Sequence, residues 1–445
     1  MALNVVILGA GESGTGAAVL AHKLGYQVFL SDSGAIRDLY KSVLEERSIA
    51  YEQGQHDTFR ILQADLVIKS PGIPEKAAII QELRSRNIEI ISEIEFAFRH
   101  TWAKIIAVTG SNGKTTTTSI IYKILKDAGL HVGLGGNIGK SFAWLVAEND
   151  FDYYVLEVSS FQLDDVIHFK PWISVLTNIT EDHLDRYQYS MDRYAASKMR
   201  ITKNQTEGDY FIYCQEDPVS VQKIQQNPPV ATALGFAIDK QDHSIAWNEN
   251  GIIKVLLNEK EFTMSYNEMK LAGRHNMYNT MAAAVVGRIM DIRNESIRES
   301  LSDFVNIEHR MEKVACIGGV DFVNDSKATN VNSAWYALES VNQPVILIIG
   351  GVDKGNDYNM LIPLVDKKVK TIITLGKDVR KIHEAFSKKV NMIMNAMTME
   401  DAVKMAYQLS DKGDCVLLSP ACASFDLFEN YEDRGRQFKK FVREL

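Results

Sequence analysis

Twice between Leu3 and Gly129 a short apolar, β-rich run passes through a glycine turn into a helical pattern. Strand, glycine turn and helix in that order form the repeating unit of α/β layers, and few other architectures accommodate it. The first instance is Leu3–Leu8, then Gly9-Ala10-Gly11-Glu12-Ser13-Gly14. A helix carrying Ala17, Ala18, Leu20, Ala21 and Leu24 follows and stops at Gly25. The second is Lys104–Val108, then Thr109-Gly110-Ser111-Asn112-Gly113-Lys114-Thr115-Thr116. Its helix carries Ile120, Ile121, Ile124 and Leu125 and stops at Gly129. Further strands are expected at Val28–Ser31, Leu66–Lys69, Ile173–Asn178, Val320–Val323, Val345–Ile349, Thr371–Leu375 and Cys415–Ser419. At ~150 residues per domain, a chain of 445 residues predicts about three. Polar helix ends place the expected limits at residues 1–100, 101–306 and 307–445. The expected fold is α/β: a Rossmann-like N-terminal domain, a central P-loop mononucleotide-binding domain, and a Rossmann-like C-terminal domain.

Composition narrows the function. The formal net charge is −8, and none of the three blocks is net positive, which argues against a nucleic-acid partner. The apolar runs are far shorter than the ~18 residues a membrane helix needs, so no membrane insertion is expected. No basic segment precedes an apolar one at the start, and the four cysteines form no C-x-x-C pair. Both point to a reducing, cytoplasmic setting.

The first glycine turn, with Asp32 about 20 residues on, matches a dinucleotide fingerprint. The same cradle would serve NAD or another diphosphate nucleotide, and glycines are also needed simply for helix–strand packing. The second turn is more specific. Its amides can wrap nucleotide phosphates, Lys114 can neutralise the outer ones, and Thr115 can ligate Mg²⁺. Val108 stands where the usual P-loop pattern has its first glycine, so the loop is a shortened variant. Glu157, flanked by Val155, Leu156 and Val158, is an acid inside a strand expected to be buried, which calls for a cationic partner. His183 lies in a polar loop after another strand, where it could join Glu157 and Thr115 at a metal. Lys198, on a helical stretch, reads from its surroundings as a solvated lysine. Three polar loops, Asn324–Asn330, Gly350–Gly355 and Leu418–Ser424, each follow a strand and are expected on one sheet edge as a substrate site.

These segments together resemble the Mur ligases, the ATP-dependent amide-forming enzymes of peptidoglycan synthesis, over essentially the whole chain. Thr109–Thr116 is similar to the family's ATP loop. Glu157–Leu163, Asn324–Asn330 and Leu418–Tyr431 are similar to the branch that adds D-glutamate. The resemblance implies two small-molecule substrates besides ATP: UDP-N-acetylmuramoyl-L-alanine and D-glutamate. It implies ATP contacts from Gly110, Ser111, Asn112, Gly113, Lys114, Thr115, Thr116, Asn279, Arg310 and Asp325. Lys114, Glu157, His183 and Lys198 would be catalytic. One Mg²⁺ would sit on Thr115 and Glu157, and a second on His183 and Lys198, the latter carbamylated by CO₂. Gly11, Glu12, Ser13, Gly14, Asp32 and Ser33 would hold the uridine diphosphate, with Asn137 and Gln162 on the sugar–alanine arm. Thr329, Lys354, Ser424 and Tyr431 would hold D-glutamate. Gly34 and Tyr431 stand where a familiar member has Arg and Phe.

The chemistry so implied has ATP convert a carboxylate to an acyl phosphate, which an incoming amine attacks. Bringing ATP to residues of the last domain implies closure. A monomer is expected. The rival readings are a nicotinamide dehydrogenase, a P-loop ATPase without an amino-acid requirement, and a ligase of the same kind with another amino acid.

Overall fold

A computed structural model describes residues 3–271, 273–304, 308–353 and 355–445. The expected 306/307 domain limit and Lys354 lie outside the described residues. Among those described, three sheets form. The first has five parallel strands, Asn4–Leu8 (β1), Gln27–Asp32 (β2), Ala50–Gln53 (β3), Leu66–Lys69 (β4) and Glu89–Ser92 (β5), in the order β3-β2-β1-β4-β5. The order reverses at β1, which puts a ligand crevice at the C-terminal ends of β1 and its neighbours.

The second sheet comprises Lys104–Thr109 (β6), Val132–Gly136 (β7), Tyr153–Glu157 (β8), Ile173–Leu176 (β9), Tyr210–Cys214 (β10), Thr232–Phe236 (β11), Ser244–Glu249 (β12), Ile252–Leu257 (β13) and Lys260–Ser265 (β14). Its order is β14-β13-β12-β11-β10-β9-β6-β8-β7. It is parallel from β7 to β12 and closes with an antiparallel meander through β13 and β14. The third comprises Glu312–Ile317 (β15), Val320–Asn324 (β16), Val345–Ile349 (β17), Val369–Leu375 (β18), Met392–Ala396 (β19) and Cys415–Leu418 (β20), in the order β15-β16-β20-β17-β18-β19. Only β15 runs antiparallel.

The central strands are apolar along their whole length because helices cover both faces. Val5 and Ile7 pack toward the helix Glu12–Lys23, and Val6 and Leu8 toward Ile61, Ile80 and Leu83. One apolar core runs from Val5 and Ile7 through Ile94 and Phe96 to Phe142, Tyr154, Leu163 and Phe169, joining the first sheet to the second. Packing therefore divides the chain into two compact units. One holds residues 1–179, 190–268 and 278–302, and with them the first two sheets. The other holds residues 180–189, 269–277 and 303–445, and with them the third. No described helix is long and apolar enough to cross a membrane.

Candidate functional site

In the first unit the turn after β1 admits only glycine at two positions, Gly9 and Gly14. Gly9 has φ +92°, and a Cβ on Gly14 would lie 1.8 Å from the Gly9 carbonyl oxygen. Gly11 caps the helix that begins at Glu12, with Ser13 in its first turn. Asp32 closes the turn from the other side. Its Oδ2 accepts from the Ala10 N–H at 2.6 Å and its Oδ1 from the Gly34 N–H at 2.7 Å. Glu12 faces away from this cradle, accepting the Ser141 N–H at 3.2 Å and the Tyr40 hydroxyl at 3.3 Å. Beside Gly9 opens a cavity of about 560 Å³, lined by Asp32, Ser33, His56, Thr58, residues 72–74 and 77–79, and Glu82. His56 did not emerge from the motif, because it lies on a loop whose pattern carries no periodicity.

The second glycine turn is a preformed phosphate loop. Gly110 and Gly113 have φ +147° and +82°, and a Cβ on Gly113 would meet Asn279 Oδ1 at 2.4 Å. Asn279, expected at the nucleotide, thus lies against the loop, where it also accepts the Thr117 hydroxyl at 3.1 Å. The loop is held by the strand beside it. Ser111 N–H donates to the Asn178 carbonyl, Asn112 N–H to Asn178 Oδ1, and the Thr177 hydroxyl to the Asn112 carbonyl. Lys114 Nζ donates to the carbonyls of Gly110 and Ser111 at 2.9 and 2.8 Å. Thr115 and Thr116 are buried at the start of the helix Lys114–Asp127.

Glu157 is 2% exposed. Strand register pairs it with Val108 on one side and Gly136 on the other, so it stands at the same strand edge as the phosphate loop. Its Oε1 accepts from Asn137 Nδ2 at 2.9 Å, and Asn137 N–H donates to the Glu157 carbonyl. Gln162 is buried and its side-chain oxygen closes the capping box on Ser159, so only its amide nitrogen is left to offer a ligand.

Lys198 is not the solvated lysine its surroundings suggested. It is 1% exposed, lies 4.5 Å from the Tyr194 ring centroid, and donates to the Gly110 carbonyl at 2.7 Å. Lys114, half-buried, and Lys198, buried, therefore both donate to the Gly110 carbonyl, which brings two cationic side chains to one loop. Thr115 and Glu157 supply hard oxygen donors of the kind Mg²⁺ takes. Lys198 fits a metal site only as a carbamate, which would exchange its ammonium for oxygen donors. His183, in the left-handed conformation at φ +53°, belongs by packing to the second unit, where its Nε2 is 3.6 Å from Asp182.

In the second unit β16, β20 and β17 are neighbours and parallel, so the three polar loops leave one edge, as expected. Asp325 is 5% exposed. Burial pushes its carboxyl up to about 7, against the pull of the Arg310 guanidinium and a 2.9 Å bond from the Ser419 hydroxyl. Arg310 Nε is buried without a protein partner among the described residues. A Cβ on Gly351, at φ +135°, would lie 2.1 Å from the Ala423 carbonyl oxygen, so the glycine turn rests directly on the loop carrying Ser424. Tyr431 opens the last helix, and Lys327 Nζ donates to its hydroxyl at 3.3 Å. Thr329 is half-buried in the loop after β16.

Arg434 ties these loops together, and the motifs missed it. It is 1% exposed and donates to Ser326 Oγ, the Ser326 carbonyl and the Cys422 carbonyl at 3.0, 2.8 and 3.2 Å. Its signal is present in the sequence: Arg434 occupies the same helical face as the buried Phe438 and Val442. Elsewhere, Glu308, His309 and Glu312 cluster as metal ligands do, but Lys439 already pairs with both glutamates at 2.8 and 2.6 Å.

Family models match almost the whole chain. They are described as the Mur ligase MurD-like N-terminal domain over residues 3–92, the Mur ligase middle domain over 108–287, and the Mur ligase glutamate ligase domain over 309–422. Relatives match from end to end. A UDP-N-acetylmuramoylalanine–D-glutamate ligase of Christiangramia forsetii is 53% identical over 445 residues, covering 100% of both chains. Ligases of the same description from Bacteroides fragilis and Cytophaga hutchinsonii are 52% and 50% identical, covering 99% and 100% of this chain and all of theirs. Among solved structures, the UDP-N-acetylmuramate–alanine ligase MurC of Thermotoga maritima superposes with a TM-score of 0.65 at 16% identity, covering 99% of each chain. A pseudomurein peptide ligase type C of Methanothermus fervidus superposes at 0.62 and 21%, covering 99% of each. At those identities the structures establish the shared fold.

Proposed function

The chain belongs to the Mur ligase family, and from that premise we propose that it joins D-glutamate to UDP-N-acetylmuramoyl-L-alanine at the expense of ATP. The observation that carries the reading is end-to-end likeness at half identity to ligases described by that reaction.

A carboxylate is too poor an acceptor for an amine. In the proposed sequence the alanine carboxylate oxygen attacks the γ-phosphorus, the bond to the bridging oxygen breaks, and ADP leaves. The glutamate amine then attacks the acyl phosphate carbon, loses its proton, and the tetrahedral intermediate expels phosphate. The loop amides from Gly110 to Thr116 hold the β- and γ-phosphates. Lys114, poised on two loop carbonyls, turns its ammonium to the γ-phosphate as charge spreads over it. Asn279, Arg310 and Asp325 hold the rest of the nucleotide. Thr115 and Glu157 would hold Mg²⁺, which would supply further neutralisation of the phosphoryl oxygens. Carbamylated Lys198 and His183 are the ligands proposed for a second Mg²⁺. Gly11 to Gly14, Asp32 and Ser33 hold the uridine diphosphate, with Glu12 acting through the turn, and Asn137 and Gln162 hold the sugar–alanine arm. Thr329, Lys354, Ser424 and Tyr431 hold D-glutamate.

The proposed domain roles are UDP-sugar binding for residues 1–100, ATP chemistry for 101–306 and amino-acid binding for 307–445. The working unit is the single chain in the cytoplasm. Mass spectrometry of reaction mixtures tests the reading: a product heavier by one glutamate residue is expected only when ATP, Mg²⁺, UDP-N-acetylmuramoyl-L-alanine and D-glutamate are all present. ADP formation without that product overturns it.

A further inference from the structure

We propose that His56 selects the base of the nucleotide sugar, its Nε2 accepting the N3–H of uracil. This rests on the reading that the cavity beside Gly9 takes the uridine end of the substrate. The argument is one of proton accounting. Ser31 is fully buried and its single hydroxyl proton faces two neighbours, Glu52 Oε1 at 2.6 Å and His56 Nδ1 at 2.6 Å. Glu52 Oε1 also accepts the Asp57 N–H at 2.7 Å. An ionised carboxylate only accepts, so Ser31 must give its proton to Glu52. The short contact to His56 then requires that Nδ1–H donate to the Ser31 oxygen. In the neutral ring this leaves Nε2 as an acceptor.

The Nδ1 edge is tied to the buried Ser31, His56 lines the cavity, and Nε2 has no protein partner among the described residues. Of the two carboxylates in the wall, Asp32 already has both oxygens on backbone amides and Glu82 accepts from the Arg86 guanidinium at 2.9 Å, while the Ser33 and Thr58 hydroxyls can donate as well as accept. Ile73, Pro74, Ala77 and Ile79 give the cavity an apolar wall on which a flat ring can lie. Uracil presents a donor at N3 between two acceptors. Cytosine presents an acceptor there, which would set lone pair against lone pair. A site built to pair a substrate N–H rejects the analogue lacking it.

The test is calorimetric titration of the full-length chain, its ATP loop saturated with ADP and Mg²⁺, with UDP, N3-methyl-UDP and CDP. The wild type is expected to bind UDP about tenfold tighter than either analogue, as one hydrogen bond to a desolvated partner allows. His56→Leu should remove that ratio by weakening UDP while N3-methyl-UDP stays unchanged, and His56→Gln, which keeps an acceptor, should restore part of it. A ratio that survives in His56→Leu overturns the assignment of His56. A wild type that binds none of the uridine probes overturns the uridine reading beneath it.

Discussion

Lys114 is the residue on which the phosphoryl chemistry turns. Lys114→Ala should abolish phosphate release while leaving the melting temperature nearly unchanged, because its side chain is only half-buried. Turnover near the wild-type rate would refute its role. Lys198 invites a different measurement. ¹³C-bicarbonate should give a carbamate carbon resonance in the wild type and none in Lys198→Arg. Glu93 offers a stability test. It is 1% exposed, its Oε2 has no partner among the described residues, and burial pushes its carboxyl up to about 8, partly offset by the Ala143 N–H and reinforced by Glu12. A raised carboxyl pKa means that the folded state binds the proton more tightly than the unfolded one. Its stabilising contribution is therefore complete below the unfolded pKa near 4.5 and is lost as pH rises toward 8. Glu93→Gln, neutral throughout, should melt above the wild type at pH 9 and close to it at pH 4, by a margin on the order of a few kcal/mol at the alkaline end. An unchanged pH profile would contradict that account. Single residues were unevenly legible. The acid at Glu157 stood out against its apolar neighbours, and so did the shortened loop around Lys114. Lys198 did not, since nothing local marks a lysine whose burial is decided by the Gly110 carbonyl 88 positions away.

At the scale of elements, the strands most readable from sequence were those buried on both faces. Leu66–Lys69 and Val345–Ile349 have the limits their apolar runs suggest, and β6 extends only to Thr109. The meander from β12 to β14 was not read. Its strands are partly exposed: β12 has polar ends, Lys254 interrupts β13 and only β14 alternates polar with apolar residues, patterns weaker than a continuous apolar run. The glycine turns that shape the site give a graded prediction. Gly25 has φ +78° but open space around it, so Gly25→Ala should cost about 1 kcal/mol, the backbone strain alone. Gly351→Ala adds a collision with the Ala423 carbonyl to a φ of +135°. It should cost roughly 2–3 kcal/mol and raise the KM for D-glutamate by displacing Ser424. Equal denaturation midpoints for the two variants would show that the close approach to Ala423 carries no weight.

For the whole molecule, three expected domains and three sheets coincide in number, yet packing resolves two units. The reason is visible in the contacts joining the first sheet to the second. Glu95 is fully buried and accepts the N–H groups of Ile167, His168 and Phe169 at 2.8–3.0 Å. Lys69 and Asp165 form a buried ion pair at 2.8 Å. Pairings between residues so far apart leave no local trace, and neither does the grouping of residues 180–189 and 269–277 with the C-terminal part. A net charge of −8 also proves silent about the site, since every proposed substrate carries negative charge. Glycine-loop amides and a few placed cations do the holding. Chelation of Mg²⁺ by EDTA should accordingly stop turnover completely and recover on adding Mg²⁺ back. The most direct measurement is phosphate release from ATP with Mg²⁺ and UDP-N-acetylmuramoyl-L-alanine, supplying D-glutamate, L-glutamate, L-lysine or diaminopimelate one at a time. Release with D-glutamate alone is the predicted result, and release with L-lysine or diaminopimelate but not D-glutamate would contradict it.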